Sequence, residues 1–260
     1  MITGYKGFIG EHLFRRLSSN GHELFGIDRH DGFFHNLVFD DNIANAFKRS
    51  NPDIIIHLAS NISNDPFSCL EDIKIIIRLL DKSLAYKVKK FVFISSAAIY
   101  GDSFPDLKPI NAYGISKLQC EQWCNHFSKL GLSIAILRLS NVYGPKGSGV
   151  INQFINNLKN GEPLIMNSHG KHIRDFIHID DIIDAIAKSI DLTGIFNVST
   201  GKGHSVMDIV NIFKGINKNI GVQMRNIDDD GVIHISIIKR SSEFQIKKSL
   251  KESIEELCKA

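Results

Sequence analysis

A chain of 260 residues, 43% hydrophobic and 23% charged, has the length for one large domain, or a domain with a smaller lobe, and an ordinary balance for a folded protein. Its formal net charge of +3, from 31 basic and 28 acidic side chains scattered along the chain, argues against nucleic acid, and short clusters such as Lys87, Lys89 and Lys90 read as solvated surface. No apolar run reaches the ~20 residues of a membrane span, no signal peptide is read at the start, and Cys69, Cys120, Cys124 and Cys258 form neither a CxxC pair nor a zinc spacing, so a reduced, cytoplasmic protein with no membrane or metal site is expected.

The chain opens with three residues, Met1 to Thr3, of strand character, fewer than the usual 5–6. Either this strand is shortened or the start lies upstream. Gly4, Gly7 and Gly10 follow in a GxxGxxG spacing and lead into a helical pattern over about 8–18. Gly4 permits a tight turn, Gly7 lets backbone approach a pyrophosphate, and Gly10 lets helix pack on sheet. The helix start, including Phe8 and Ile9, would aim N–H groups and a positive dipole end at the phosphates. Alone, these glycines also fit a plain tight turn. Asp28, ending the next strand candidate (His22–Ile27), strengthens the dinucleotide reading. A carboxylate there accepts hydrogen bonds from the adenosine ribose and repels a 2′-phosphate, which favours NAD. Lys6 and Arg29 pull towards NADP, because either could pair with that phosphate.

Further strands are expected at Asp53–Leu58, Phe91–Ser95 and Ser133–Leu139, with helices at about 42–50, 67–88 and 112–130. The strand candidates are almost continuously apolar, as in a parallel sheet covered on both faces. Their alternation with helices predicts a doubly wound α/β sheet. After a flexible turn at 144–149 the rhythm changes, with helices near 150–160, 179–190 and 205–215. The expected division is a dinucleotide-binding domain over 1–144, with Ile195–Val198 returning to its sheet, and a smaller substrate-binding lobe over 145–260.

Tyr113 and Lys117 stand at i and i+4, so on a helix they share one face. A neighbouring ammonium favours the phenolate, which makes Tyr113 a candidate general acid or base. By itself the pair also fits a buried Tyr and a solvated Lys. Ser95 and Ser96 end the Phe91–Ser95 strand at the sheet edge where open α/β folds bind ligands, and a hydroxyl there could hydrogen-bond the oxygen Tyr113 acts on.

The segments TGYKGFIG (3–10), HLAS (57–60), SSAAIYGD (95–102), YGISK (113–117), RLSNVYGP (138–145) and RDFIHIDD (174–181) occur in this order. As a set they resemble the NAD-dependent epimerase/dehydratase family, the extended short-chain dehydrogenase/reductases that act on nucleotide sugars. The resemblance spans about residues 1–200. It implies a Rossmann-type fold and a catalytic set of Ser96, Tyr113 and Lys117, with Lys117 also holding the nicotinamide ribose. It implies cofactor contacts from Gly4, Gly7, Phe8, Ile9, Gly10, Asp28, Arg29, Leu58, Ala59 and Ser60, beside His57. It implies substrate contacts from Ser96, Tyr113, Asn141 and Arg174, the last pairing with a diphosphate. The helices near 67–88 and 112–130 pair across a homodimer in the family, so a homodimer is expected here. His178, near two Asp residues, reads as structural.

The family's dehydratases carry Thr-Asp-Glu where this chain has Ser96-Ala97-Ala98, so dehydration is not expected. The resemblance then implies either 4-epimerisation through a 4-keto sugar, which Asp28 and the SSAAIYGD run favour, or reduction of a 4-keto sugar by NAD(P)H. A dinucleotide-binding sensor without turnover is a further alternative, against which the intact Ser96, Tyr113 and Lys117 argue. Three departures bear on the substrate. The 101–113 segment is short, Asp72 replaces a common Asn, and Asp228 to Gly231 lie where relatives often place an arginine for the nucleotide phosphates.

Overall fold

The structure is a computed structural model that describes residues 1–32, 36–167, 170–225 and 238–259. Its strands are β1 (Ile2–Thr3), β2 (Gly26–Ile27), β3 (Ile54–His57), β4 (Lys90–Ser96), β5 (Ile134–Leu139), β6 (Asn141–Tyr143), β7 (Leu164–Asn167), β8 (Ile173–Arg174), β9 (Phe176–His178), β10 (Gly194–Val198), β11 (His204–Ser205) and β12 (Val222–Arg225). Its α-helices are α1 (Phe8–Ser19), α2 (Asp40–Ser50), α3 (Pro66–Ala85), α4 (Ala112–Lys129), α5 (Val150–Asn160), α6 (Ile179–Ser189), α7 (Val206–Ile216) and α8 (Leu250–Lys259).

Six strands form a parallel sheet in the order β10-β5-β4-β3-β1-β2. From β1 the chain runs outward to β2 and then returns to β3 on the other side, which makes a topological switch point between β1 and β3. Open α/β sheets bind ligands at such a point, outside the carboxyl ends of the strands. The strands are apolar throughout because both faces are covered. In β4, Phe91 and Phe93 pack towards α2, α3 and α4, with Phe47, Ile76, Leu79 and Cys124. Val92 and Ile94 point the other way, towards α1 and α6, with Leu13, Leu17, Ile182 and Ile186. Strand alternation alone produces this split.

β2 is shorter than the His22–Ile27 pattern predicts. Its sheet partner β1 contributes only Ile2 and Thr3, paired with Gly26 and Ile27, so the ladder has no further rung for Glu23 or Leu24.

The second half of the chain serves two cores. α6 joins the first one, and Gly194–Val198 pairs along β5. The other core gathers Tyr143, Ile151, Phe154, Phe176, Val210, Phe213 and Ile254, from α5, α7, α8 and neighbouring strands. Short two-stranded ladders, separate from the six-stranded sheet, accompany it. One of them, β6 with β9, sets Asn141 opposite Phe176. Among the described residues no helix is long and apolar enough to cross a membrane.

Candidate active site

Register places the candidate residues in one row. Thr3 pairs with Ile27 and His57, His57 with Phe93, and Ser96 with Leu139. Asp28, Gly4, Leu58 to Ser60, Ser96 and Asn141 therefore leave the carboxyl ends of five adjacent strands. At about 4.8 Å per strand, the glycine loop and Ser96 are separated by roughly 10 Å along the edge.

The glycine loop is folded against its own helix. Gly4 has φ +70, and a Cβ on it would stand 2.7 Å from the Ala59 nitrogen. A Cβ on Gly10 would stand 2.1 Å from the Gly4 oxygen. Gly7 caps α1 with no side-chain hydrogen bond. Phe8 and Ile9, in the first turn of α1, are half-buried and pack on the sheet core. A cleft of about 270 Å³ opens beside the loop, lined by Gly4, Gly7, Asp28, Arg29, Ala59 and Ser60 among others. Asp28 is 8% exposed and accepts the His30 N–H at 3.0 Å. Arg29 donates to the Asn61 Oδ1 at 3.3 Å. Lys6 is ion-paired with Asp31. Asp72 lines the same cleft and accepts from the Ser60 hydroxyl at 2.7 Å and the Asn61 N–H at 2.9 Å, which latches the loop after β3 onto α3. Burial raises its carboxyl above the usual range, against the hydrogen bond from Ser60 and the charge of Lys117.

α4 carries the candidate pair Tyr113 and Lys117. Asn111 caps it by accepting the Gly114 N–H at 2.7 Å. Gly114 is required by a close approach, since a Cβ there would lie 2.6 Å from the Ala98 oxygen. That approach seats the first turn of α4 against the Ser96–Tyr100 segment. Tyr113 is half-buried on this turn. The buried Lys117 donates to the Ile94 carbonyl at 2.9 Å, and its ammonium stands 5.7 Å from the centre of the Tyr113 ring and 5.0 Å from that of Phe93. The Ser96 hydroxyl accepts the Ala98 N–H at 3.2 Å. Ala97 and Ala98 are buried at 2% and 5% exposure.

Below this pair lies a buried network that sequence reasoning missed. Glu121, one turn beyond Lys117, is 1% exposed and accepts from the Ser95 hydroxyl at 2.5 Å. Arg138 meets both its carboxylate oxygens, Nε at 3.0 and 3.2 Å and Nη2 at 2.6 Å. Arg138 also donates to the Tyr100 hydroxyl at 2.5 Å, which donates to the Asn197 Oδ1 at 2.9 Å. Two signals could have found it: Glu121 at i+8 from Tyr113, and one charge inside the apolar strand Ile134–Leu139.

A second, larger cleft of about 680 Å³ is lined by Asn141, Gln153, His172, Arg174, Phe176 and Arg225, with others. The Asn141 N–H donates to the Asp175 carbonyl at 2.9 Å, which brings Asn141 and Arg174 to one wall. Burial lowers the Arg174 pKa from its ordinary value. Asp175 is 3% exposed and accepts from Thr200 N–H and hydroxyl and from Gly201 N–H. Arg225 was not among the expected residues; it ends β12, which pairs with β7. Asp228 to Gly231 lie outside the described residues. His178 caps α6 by accepting the Asp180 N–H at 3.2 Å, a structural role.

His57 makes the region sensitive to acid. Its ring is 3% exposed, stacks on Phe93 and meets the Thr3 hydroxyl at 2.7 Å. Burial first, and the charge of Lys117 second, lower its pKa from 6.5 to about 3. The folded state keeps His57 neutral while the unfolded chain takes up a proton below its ordinary pKa of 6.5. Stability is therefore lost as pH falls from that value towards the folded one, at up to about 1.4 kcal/mol per pH unit from this group. Denaturant titrations at pH 7 and pH 5 should show His57→Gln losing less stability on acidification than the wild type. Equal losses would assign the acid sensitivity elsewhere.

The sequence model of the family described as "NAD dependent epimerase/dehydratase family" matches residues 1–199. The chain is 31% identical over 247 residues to a protein of Methanocaldococcus jannaschii named "Putative UDP-glucose 4-epimerase", covering 82% of this chain and 81% of that protein. The structure of a UDP-glucose 4-epimerase from Thermotoga maritima with UDP-glucose superposes with a TM-score of 0.90 at 26% identity, over 99% of this chain and 96% of that one. The fold is shared as well with a UDP-glucose 4-epimerase of Thermus thermophilus in complex with NAD, at TM-score 0.89 and 24% identity, over 99% and 97%.

Proposed function

The chain belongs to the NAD-dependent epimerase/dehydratase family, and from that premise we propose that it interconverts the C4 configuration of a nucleotide-diphosphate sugar through a 4-keto intermediate. The observation that favours epimerisation over ketoreduction is Asp28 at the end of β2, which suits NAD, and the pair Ala97 and Ala98, buried beside Ser96, argues against dehydration. Elimination of water needs an acid and a base at neighbouring sugar carbons, and these two side chains supply neither.

The cleft fits a dinucleotide. Gly4 and Gly10 leave no room for side chains, the α1 N-terminus has no side-chain cap, and Asp28 stands at the end of β2. The positive end of α1 is thus left for a pyrophosphate and Asp28 for the ribose hydroxyls. When bound, NAD supplies a two-electron acceptor and donor beside the sugar carbon. The chain's residues handle the proton and the charge. Tyr113 takes the proton of the C4 hydroxyl and returns it, Ser96 hydrogen-bonds the same oxygen, and Lys117 sets an ammonium 5.7 Å from the centre of the Tyr113 ring. Arg174 and Arg225 line the larger cleft, where the diphosphate of the substrate would find cations, and Asn141 stands on the same wall. The exposed Phe67, Leu70, Ile115 and Trp123 on α3 and α4 support a homodimer through these helices.

The test uses the purified protein, UDP-glucose or UDP-galactose, and no added cofactor. The expected result is interconversion of the two, with NAD released from the protein on denaturation. Stoichiometric oxidation of NAD(P)H by a 4-keto sugar, without interconversion, would overturn epimerisation in favour of ketoreduction.

A further inference from the structure

The ribose end of the smaller cleft holds more charge than Asp28 alone. Lys6 and Arg29 both line it. Each already has a partner: the Lys6 ammonium is ion-paired with Asp31, and Arg29 donates to Asn61 at 3.3 Å. Asp31 ends a single 3-10 turn, Arg29–Asp31, capped by the Asp28 side chain. It also accepts the Tyr5 hydroxyl at 3.2 Å. The Tyr5 ring lies against Gly26, where a Cβ would come within 2.6 Å of it, so the Gly4–Lys6 turn is pinned over β2. Asp31 keeps only 18% of its side chain in solvent and Lys6 keeps 39%.

Lys6 is ion-paired with Asp31, while Arg29 donates to the neutral Asn61 in a cleft that Asp28, Glu71 and Asp72 also line, so a 2′-phosphate dianion on the adenosine ribose would meet a glycine-loop ammonium already compensated and a surplus of carboxylates. An unmodified ribose needs only hydrogen bonds and is indifferent to that balance. We propose that Asp31 is a specificity-determining residue that, by holding Lys6, sets the preference of the cleft for NAD over NADP. The inference rests on the dinucleotide reading of this cleft. Asp28 repels the extra phosphate directly, whereas Asp31 acts by occupying the one ammonium on the glycine loop that could receive it. Neutralising Asp31 frees a positive charge within reach of the ribose. One such contact at a partly exposed site is worth about a tenfold change in affinity.

Calorimetric titrations with NAD⁺ and with NADP⁺, on protein freed of bound nucleotide, test this in the wild type, Asp31→Asn, Lys6→Met and the double variant. Asn keeps an acceptor for Tyr5. The expected result is a wild type that prefers NAD⁺. Asp31→Asn should bind NADP⁺ about tenfold more tightly with NAD⁺ affinity little changed, and Lys6→Met should erase that gain in the double variant. Raising the salt concentration should shrink the gain. An unchanged NADP⁺ affinity in Asp31→Asn, or a gain that survives Lys6→Met, overturns the inference and leaves the dinucleotide reading intact. If Asp31→Asn does not fold, Lys6→Met alone decides: a clear loss of NADP⁺ affinity shows that Lys6 already serves the phosphate, which overturns the inference, and little change supports it. A wild type that binds neither dinucleotide overturns the reading of the cleft itself.

Discussion

Tyr113→Phe is expected to lower turnover of the nucleotide sugar roughly a thousandfold while leaving dinucleotide affinity nearly unchanged. The substitution removes one oxygen and nothing else. The aromatic face that meets the Lys117 ammonium at 5.7 Å is retained, as is the Lys117 contact with the Ile94 carbonyl. α4 keeps its Asn111 cap and its close approach at Gly114. What disappears is the group proposed to exchange a proton with the sugar hydroxyl, so the loss should fall on kcat rather than KM. Rates under saturating substrate, together with a titration of NAD⁺, separate the two. A variant with more than about a tenth of wild-type turnover would remove Tyr113 from the proton transfer.

Arg138→Met is expected to destabilise the fold by about 3–5 kcal/mol, because it strands the Glu121 carboxylate in the interior. Glu121 is 1% exposed, and its charge is matched by the two guanidinium nitrogens of Arg138. Burial pulls the Arg138 pKa down, and the hydrogen bonds and charge of Glu121 more than offset this, leaving it above its ordinary value. Removing both partners together is a different experiment. Glu121→Leu with Arg138→Met leaves no buried charge and should recover a substantial part of the loss. Urea unfolding of the single and double variants measures this directly. Equal destabilisation in both would mean that packing around Arg138, rather than its charge, is what the fold requires. The same network joins α4 to Ser95, the residue before Ser96, so the double variant should recover stability more fully than it recovers turnover.

Part of the site is legible in the sequence. The GxxGxxG spacing, Asp28 at a strand end, and Tyr113 one turn before Lys117 are local patterns, each held by residues within about one element of one another. The positions of α1 to α7 and of β3, β4 and β5 are legible for the same reason, since side-chain periods of 2 and 3.6 are written into consecutive residues. α5 lies where its pattern predicts, at Val150–Asn160. The order of the motifs was enough to suggest the family, and the family match over residues 1–199 agrees.

Other features depend on which distant segments meet, and no local period carries that information. Glu121 and Arg138 are 17 positions apart and become partners only because α4 crosses over to place β5 beside β4. α6 returns to the first core although it follows the turn at 144–149. Arg225 reaches the larger cleft through the pairing of β12 with β7. The glycine loop and Asp28 thus read as a dinucleotide site from sequence alone. That Lys6 is held by Asp31, rather than waiting for a phosphate, was decided by the tertiary fold, because only the packing of Tyr5 over Gly26 lays the loop across the turn after β2.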